Sequence, residues 1–258
     1  MKRILLICTL ILFAGLFTSF GQTGQTGTVV FEEVAKIEIK LEGEMAAMMR
    51  DFPKEQRSNK VLYFSPEASL YEKTKTENAN DAGGFGHSSG NMRIMMSVPE
   101  NKVFIDLENK RIIEQREFMT RIFLIKADMP EKKWKISGEQ KTILDYPCIE
   151  ATHTDTAGVI TRVWFTPSIT VQSGPAKFCN LPGLVLEVNI KDGERVYLAQ
   201  SINFDPLDKN RLKKPKEGKK VSQVEFDKIV AEKMKEMGID GTGGSIHGGR
   251  TVTVRIRK

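Results

Sequence analysis

The chain has 258 residues, 40% of them apolar and 28% charged, with a formal net charge of +6. That is enough for one large domain or two small ones around a buried core, and it excludes a peptide or a disordered polyelectrolyte. Twenty-one glycines, ten prolines and three cysteines exclude collagen-like, Pro-rich and disulfide-dense classes.

The first residues set the compartment. Lys2-Arg3 precede an uncharged apolar run from Ile4 to Phe20, followed by Gly21-Gln22-Thr23-Gly24. A basic start, a short apolar core and small residues before a polar stretch describe a secretory signal peptide. Ser19 and Gly21 take the small-residue positions if cleavage follows Gly21, which makes residues 1–21 the signal. The apolar run is at the short limit for crossing a bilayer, and no later stretch reaches spanning length. The expectation is an exported protein without a transmembrane helix after cleavage: periplasmic, outer-membrane-associated or secreted. Loss of Lys2 and Arg3 lowers the net charge to +4, and export argues against a nucleic-acid partner. Cys148 and Cys179 are the cysteines that remain.

Residues 22–28 read as a flexible leader, and 29–258 as a single β-rich domain. Lys36–Leu41 alternates charge with aliphatic side chains, a strand with one wet face. Glu44–Asp51 places Met45, Met48 and Met49 at helical spacing before Phe52-Pro53. Short strands are expected at 61–64 and 69–71, and a polar, Gly-rich mobile loop over 73–91. From residue 92 the strands crowd together, at 92–98, 103–107, 111–119, 121–126, 134–141, 148–154 and 159–165. Their spacing of about ten residues leaves no room for helical crossovers and predicts an antiparallel meander. Asp192-Gly193 between 184–190 and 196–204 signals a hairpin.

After a basic linker at 207–220, Ser222 and Glu225 form a capping box. Phe226, Ile229, Val230 and Met234 then mark one face of a helix over 222–237. Alternation over 251–258 predicts a last strand at an edge. The fold class read from this pattern is mainly β: a large curved antiparallel sheet or open half-barrel with one or two covering helices.

The segment Gly174-Pro175-Ala176-Lys177-Phe178-Cys179-Asn180-Leu181-Pro182-Gly183-Leu184-Val185 resembles the GLPGLI family of secreted proteins from Gram-negative bacteria. Its motif stands here as Asn180-Leu181-Pro182-Gly183-Leu184-Val185, with Asn for the first Gly and Val for the final Ile. Val163–Pro167, Asp145–Ala151 and Leu70-Tyr71 also look like that family. The resemblance covers about residue 29 to the end and implies an exported β-rich protein without established catalytic residues. A related module looks like the N-terminal domain appended to some secreted glycan-releasing amidases, which implies an accessory or binding role. Read physically, Leu181, Pro182 and Gly183 make a tight turn: Pro fixes φ, Gly accepts positive φ, and Leu184–Leu186 enters a buried strand.

The chemistry offered is sparse. Of the histidines, His87 and His247 lie in Gly/Ser-rich stretches and His153 on a strand, none near a nucleophile elbow, so an envelope hydrolase is the weakest reading. Met45, Met48, Met49 and Met92 with His87 offer the soft ligands that Cu(I) accepts, although Met at these spacings also packs cores. Cys148 and Cys179 could pair as a disulfide, stay as buried thiols or ligate a metal. The leading expectation is a non-catalytic envelope binding or accessory protein. Its concave sheet face would receive an apolar ligand or partner beside the 73–91 loop.

Overall fold

The computed structural model describes residues 25–36, 54–74, 85–89, 92–97, 101–208, 210–236 and 253–257. Among these residues the chain forms fifteen strands and one helix. They are β1 (Gly27–Lys36), β2 (Glu55–Phe64), β3 (Ala68–Lys73), β4 (Phe85–Ser89), β5 (Met92–Ser97), β6 (Lys102–Asp106), β7 (Arg111–Phe118) and β8 (Arg121–Asp128). There follow β9 (Lys135–Ile143), β10 (Tyr146–Thr154), β11 (Ile160–Thr166), β12 (Leu184–Ile190), β13 (Arg195–Asn203), β14 (Lys219–Val221), α1 (Gln223–Glu236) and β15 (Thr253–Arg257).

Twelve strands form one open sheet in the order β14-β8-β7-β6-β3-β2-β1-β13-β12-β11-β10-β9. Every pairing in it is antiparallel except β14 on β8. The expected β-rich architecture with a covering helix is what the chain adopts. None of its described helices is long and apolar enough to cross a membrane.

Alternation does most of the building. Along β1, Val29, Phe31 and Ala35 are buried while Thr28, Val30 and Glu32 are partly exposed, so one face turns inward. Val29 stands opposite Leu62 on β2, and Phe31 opposite Ala199 on β13. One connected apolar cluster includes Ile112 on β7 and Ile143 on β9. These strands lie nine places apart in the sheet, about 40 Å if it were flat. The layer curves on its inner side, where the Tyr71 ring of β3 meets the Tyr197 ring of β13, three places away, at 6.5 Å.

A second cluster covers the β7–β8 end. Phe226 and Val230 of α1 pack on Phe118, Phe123 and Ile125, with the Phe123 and Phe226 rings edge to face at 5.3 Å. The helix begins with the predicted capping box. The Ser222 amide donates to the Glu225 carboxylate at 2.7 Å, and the Glu225 amide donates to Ser222 Oγ at 3.2 Å.

The free edge at β9 is defended locally. Between Ile149↔Gln140 and Ala151↔Ile136 the register slips, leaving Ser137–Glu139 bulged around Gly138 at φ 86°. A bulge and outward charges discourage a further strand from adding there.

Several expectations are corrected. A strand begins at Gly27, inside the expected leader, and is described to Lys36; Glu33, buried at an inward position, hides the alternation. Within 73–91, expected as a loop throughout, Phe85–Ser89 is a strand that pairs with β5. The last strand is not part of the large sheet: β15, β5 and β4 form a separate three-stranded sheet with β15 at one edge. The linker 207–220 ends inside β14, which pairs parallel with β8. The expected strand at 36–41 beyond Lys36 and the Met-bearing helix at 44–51 lie outside the described residues.

Candidate functional site

Between β11 and β12 the chain makes no hairpin; it sends residues 167–183 across the inner face of the sheet. This segment is extended and alternates, with Ile169, Val171 and Ser173 buried and Thr170 and Gln172 exposed. Ser173 Oγ meets Ser69 Oγ of β3 at 2.6 Å. Phe178 packs edge to face on Tyr197 of β13 at 5.8 Å. Lys177 forms an ion pair with buried Glu114 of β7. The concave face expected to receive an apolar ligand is thus covered here by the protein's own chain.

The motif turn anchors the return of that segment. Leu181 is buried and Pro182 exposed, and the Gly183 amide donates to the Leu181 carbonyl at 2.7 Å. Gly183 has φ 154°, and a Cβ there would lie 2.1 Å from the Thr166 carbonyl oxygen. The turn therefore needs glycine for close backbone approach as well as for its dihedral. Asn180 has φ 65° and donates through Nδ2 to the Pro130 carbonyl at 2.8 Å. Asn is among the side chains that tolerate this left-handed conformation best.

Glu114 is the hub of a buried charge cluster. Its Oε2 accepts from Arg116 Nε at 2.9 Å and Nη2 at 2.7 Å, while its Oε1 takes Lys177. The Arg116 guanidinium also lies 5.2 Å from the centre of the Phe226 ring. One carboxylate thus ties the crossing segment to the floor of α1, in a setting where removing a single partner strands a buried charge.

Cys148 and Cys179 are both buried and free, the buried-thiol state among the three that the sequence left open. Each sulfur is engaged within its own segment, Cys148 with the Tyr146 carbonyl at 3.4 Å and Cys179 with the Lys177 carbonyl at 3.6 Å. Burial pushes both thiols up to about 11. Thiolate is the reactive form, so both are inert at neutral pH. Iodoacetamide is expected to leave the native protein unmodified and to add two carbamidomethyl groups to the mature chain after denaturation without reductant. A denatured, unreduced protein that takes up no label would show that the pair is oxidised after all.

The remaining sequence candidates that fall among the described residues are His153 in the large sheet, and His87 and Met92 on the paired strands of the small one. His153 Nδ1 lies 3.3 Å from the Lys133 carbonyl, and its ring meets Trp134 at 5.7 Å. His87 stands on β4 opposite Ile94, and Met92 on β5 opposite Ser89. Met45, Met48, Met49 and His247 lie outside the described residues. Among the described residues no group of three or more His, Cys, Asp or Glu side chains is placed to hold a metal ion.

The outer face of the sheet also carries an extended segment. After β13, Phe204 first packs at 6.2 Å on Phe64, an inner-face residue at the end of β2, before the chain takes the outer face. Arg211 then lies over the Tyr63 ring at 4.9 Å, and Lys214 over Phe104 at 5.7 Å. Gly218 (φ 116°) passes so close to Ile122 that a Cβ would approach its backbone to 2.9 Å. The linker expected to be merely solvated is a basic strap, pinned by aromatic rings and delivered to β14.

Where the strap reaches the β6–β7 turn, a cleft of about 510 Å³ opens, lined in part by Asp106, Arg111, Lys126, Asp128 and Lys214. Asp106 is fully occupied. Its Oδ1 accepts from the Asn109 amide at 3.0 Å and Nδ2 at 2.9 Å, and its Oδ2 holds Lys214 Nζ at 2.5 Å. Chiefly the Lys214 ammonium, helped by Asn109 against the opposing effect of burial, holds this carboxyl below its usual range. A depressed carboxyl lends stability above its unfolded value of about 3.9, and that contribution is lost as pH falls through the lower folded value. Asp106→Asn is expected to lower the urea midpoint at neutral pH, with the gap to wild type closing in acid. A gap that stays constant on acidification would sink this account.

Comparison with known proteins follows from this fold. The family model described as "N-glycanase peptide, N-terminal domain" matches residues 85–228, more than half of the chain. Comparison with curated proteins gives no match. Among solved structures, PNGF-II in its P21 crystal form is 16% identical with a TM-score of 0.52, over 80% of this chain and 33% of that one. The C2 form is 17% identical with a TM-score of 0.53, over 80% of this chain and 32% of that one. At such identity the likeness is one of fold. The chain spans about a third of the length of the PNGF-II structures that it matches.

Proposed function

The chain belongs to the family of the N-glycanase peptide N-terminal domain, and from that membership we propose that it is an exported, non-catalytic binding or accessory protein of the cell envelope. The observation that carries this reading is the match itself, to a family described as the N-terminal domain of an N-glycanase peptide. Export is supported by Lys2-Arg3, the apolar run to Phe20 and the small residues at Ser19 and Gly21. The non-catalytic reading is supported by His153 resting against Trp134 and by two protonated, buried thiols. The run Asn180–Val185 serves in this proposal as a GLPGLI turn, supported by Asn180 in a glycine-like conformation.

Expression of the whole chain in a Gram-negative host tests export. A mature N-terminus at Gln22 in the envelope or medium is expected; intact Met1 in the cytosol overturns it. Purified mature protein is expected to leave the gel mobility of an N-glycosylated substrate unchanged. Release of glycan that tracks with the purified protein overturns the non-catalytic reading.

A further inference from the structure

We propose that the cleft between the β6–β7 turn, the β7–β8 pair and the basic strap is a binding site for a phosphate-bearing anion. The inference deepens the envelope-binding reading and rests on it only for the choice of biological source. Three cations border the cleft, Arg111, Lys126 and Lys214. Lys214 is spent on Asp106 and serves to fix the wall. Arg111 and Lys126 form no ion pair among the described residues, although Asp128 stands directly opposite Arg111 in the β7–β8 register. A cross-strand pair that the register offers is thus not made, and Arg111, Ile113 and Lys126 line the cleft on one face of the β7–β8 pair.

The surroundings raise the local potential further. Residues 207–220 hold seven Lys or Arg against Asp208 and Glu217, a net charge of +5, in the segment that brings Lys214 to the cleft. An anion entering here meets Arg111, whose planar fork matches phosphate oxygens, and Lys126 as a point charge. Asp106 does not oppose it, since Lys214 and the Asn109 amides already balance that carboxylate. Asp128 is the one exposed carboxylate on the lining, and it opposes an incoming anion, so binding rests on Arg111 and Lys126 together.

Inorganic phosphate titrated calorimetrically into the mature chain is expected to bind saturably in the millimolar range, about −4 kcal/mol. Arg111→Gln with Lys126→Gln should weaken it at least about tenfold, and Lys126→Gln alone by less than the double variant. The charge-matched pair Lys228→Gln and Lys235→Gln on α1 should leave binding unchanged. Sedimentation with vesicles then assigns the source. Capture by phosphatidate vesicles but not phosphatidylcholine vesicles, lost in the double variant, assigns a lipid headgroup; binding of soluble phosphate without vesicle capture assigns a free phosphorylated ligand. No saturable phosphate binding, or equal loss in the α1 control, overturns the site while leaving envelope export and the accessory reading intact.

Discussion

A chain trimmed to residues 85–228 is expected not to fold, even though those are the residues that match the family model. The reason is the strand order. β3 pairs with β6, β2 with β3, β1 with β2, and β1 with β13. Without β1–β3 the large sheet falls into two pieces, β14-β8-β7-β6 and β13-β12-β11-β10-β9. Val29, Phe31, Leu62, Phe64 and Tyr71 leave the common core at the same time. At roughly 2 kcal/mol for each buried apolar side chain, the loss is on the order of 10 kcal/mol, comparable to the whole stability of a typical domain. Circular dichroism and limited proteolysis of the fragment should report an unfolded, rapidly cut chain, and adding a peptide that spans 25–74 should restore part of the sheet. A cooperative melt of the fragment alone would show that the two halves are independent.

Gly183→Ala is expected to be the most damaging single methyl group among the described glycines. Its Cβ would stand 2.1 Å from the Thr166 oxygen, 2.7 Å from the Thr166 carbonyl carbon and 3.1 Å from Pro167 Cα, all backbone atoms that no rotamer change can move. The cost should exceed about 3 kcal/mol, in the tail reserved for strained backbone and overpacking. Gly158→Ala is the contrast: φ is also positive, at 78°, but the added methyl meets open space, so about 1 kcal/mol is expected from the dihedral alone. Asn180→Gly should be nearly neutral, exchanging the Pro130 hydrogen bond for an easier φ. Urea midpoints at constant slope rank the three. A wild-type midpoint for Gly183→Ala would mean that the turn and the end of β11 are not packed as described.

The parts of this fold that were legible in the sequence are local. Lys191, Asp192 and Gly193 all adopt positive φ between β12 and β13, as an Asp-Gly hairpin requires. Ser222 and Glu225 cap α1 reciprocally because both partners lie within one turn. What was hidden depends on distant partners. Glu33 is buried within β1 and breaks its apolar rhythm; Lys219–Val221 is a strand only because β8 lies beside it. Nothing in the spacing of 167–183 or 204–218 announces that one crosses the inside of the layer and the other the outside.

The candidate site follows the same rule. The cleft joins Asp106 and Arg111 from one hairpin with Lys126 from its next strand and Lys214 from a strap about a hundred residues on. Glu114 and Arg116 stand two residues apart on β7, a spacing that any exposed strand face could show. Only Lys177, arriving from the crossing segment, shows that the pair faces inward. The two cysteines were legible as the sole thiols of the mature chain, but their state depends on burial that spacing does not encode.

The position of β1 in the middle of the layer governs the timing of assembly. Thr28 is matched to Asn203, some 175 residues later, so its second neighbour is among the last strands to emerge from a ribosome or a translocation pore. Closing so long a loop is entropically slow, and high contact order delays folding to the millisecond-to-second range or beyond. A polypeptide threaded N-terminus first would remain pliable through most of its passage and acquire its final rigidity only after nearly all of it had crossed.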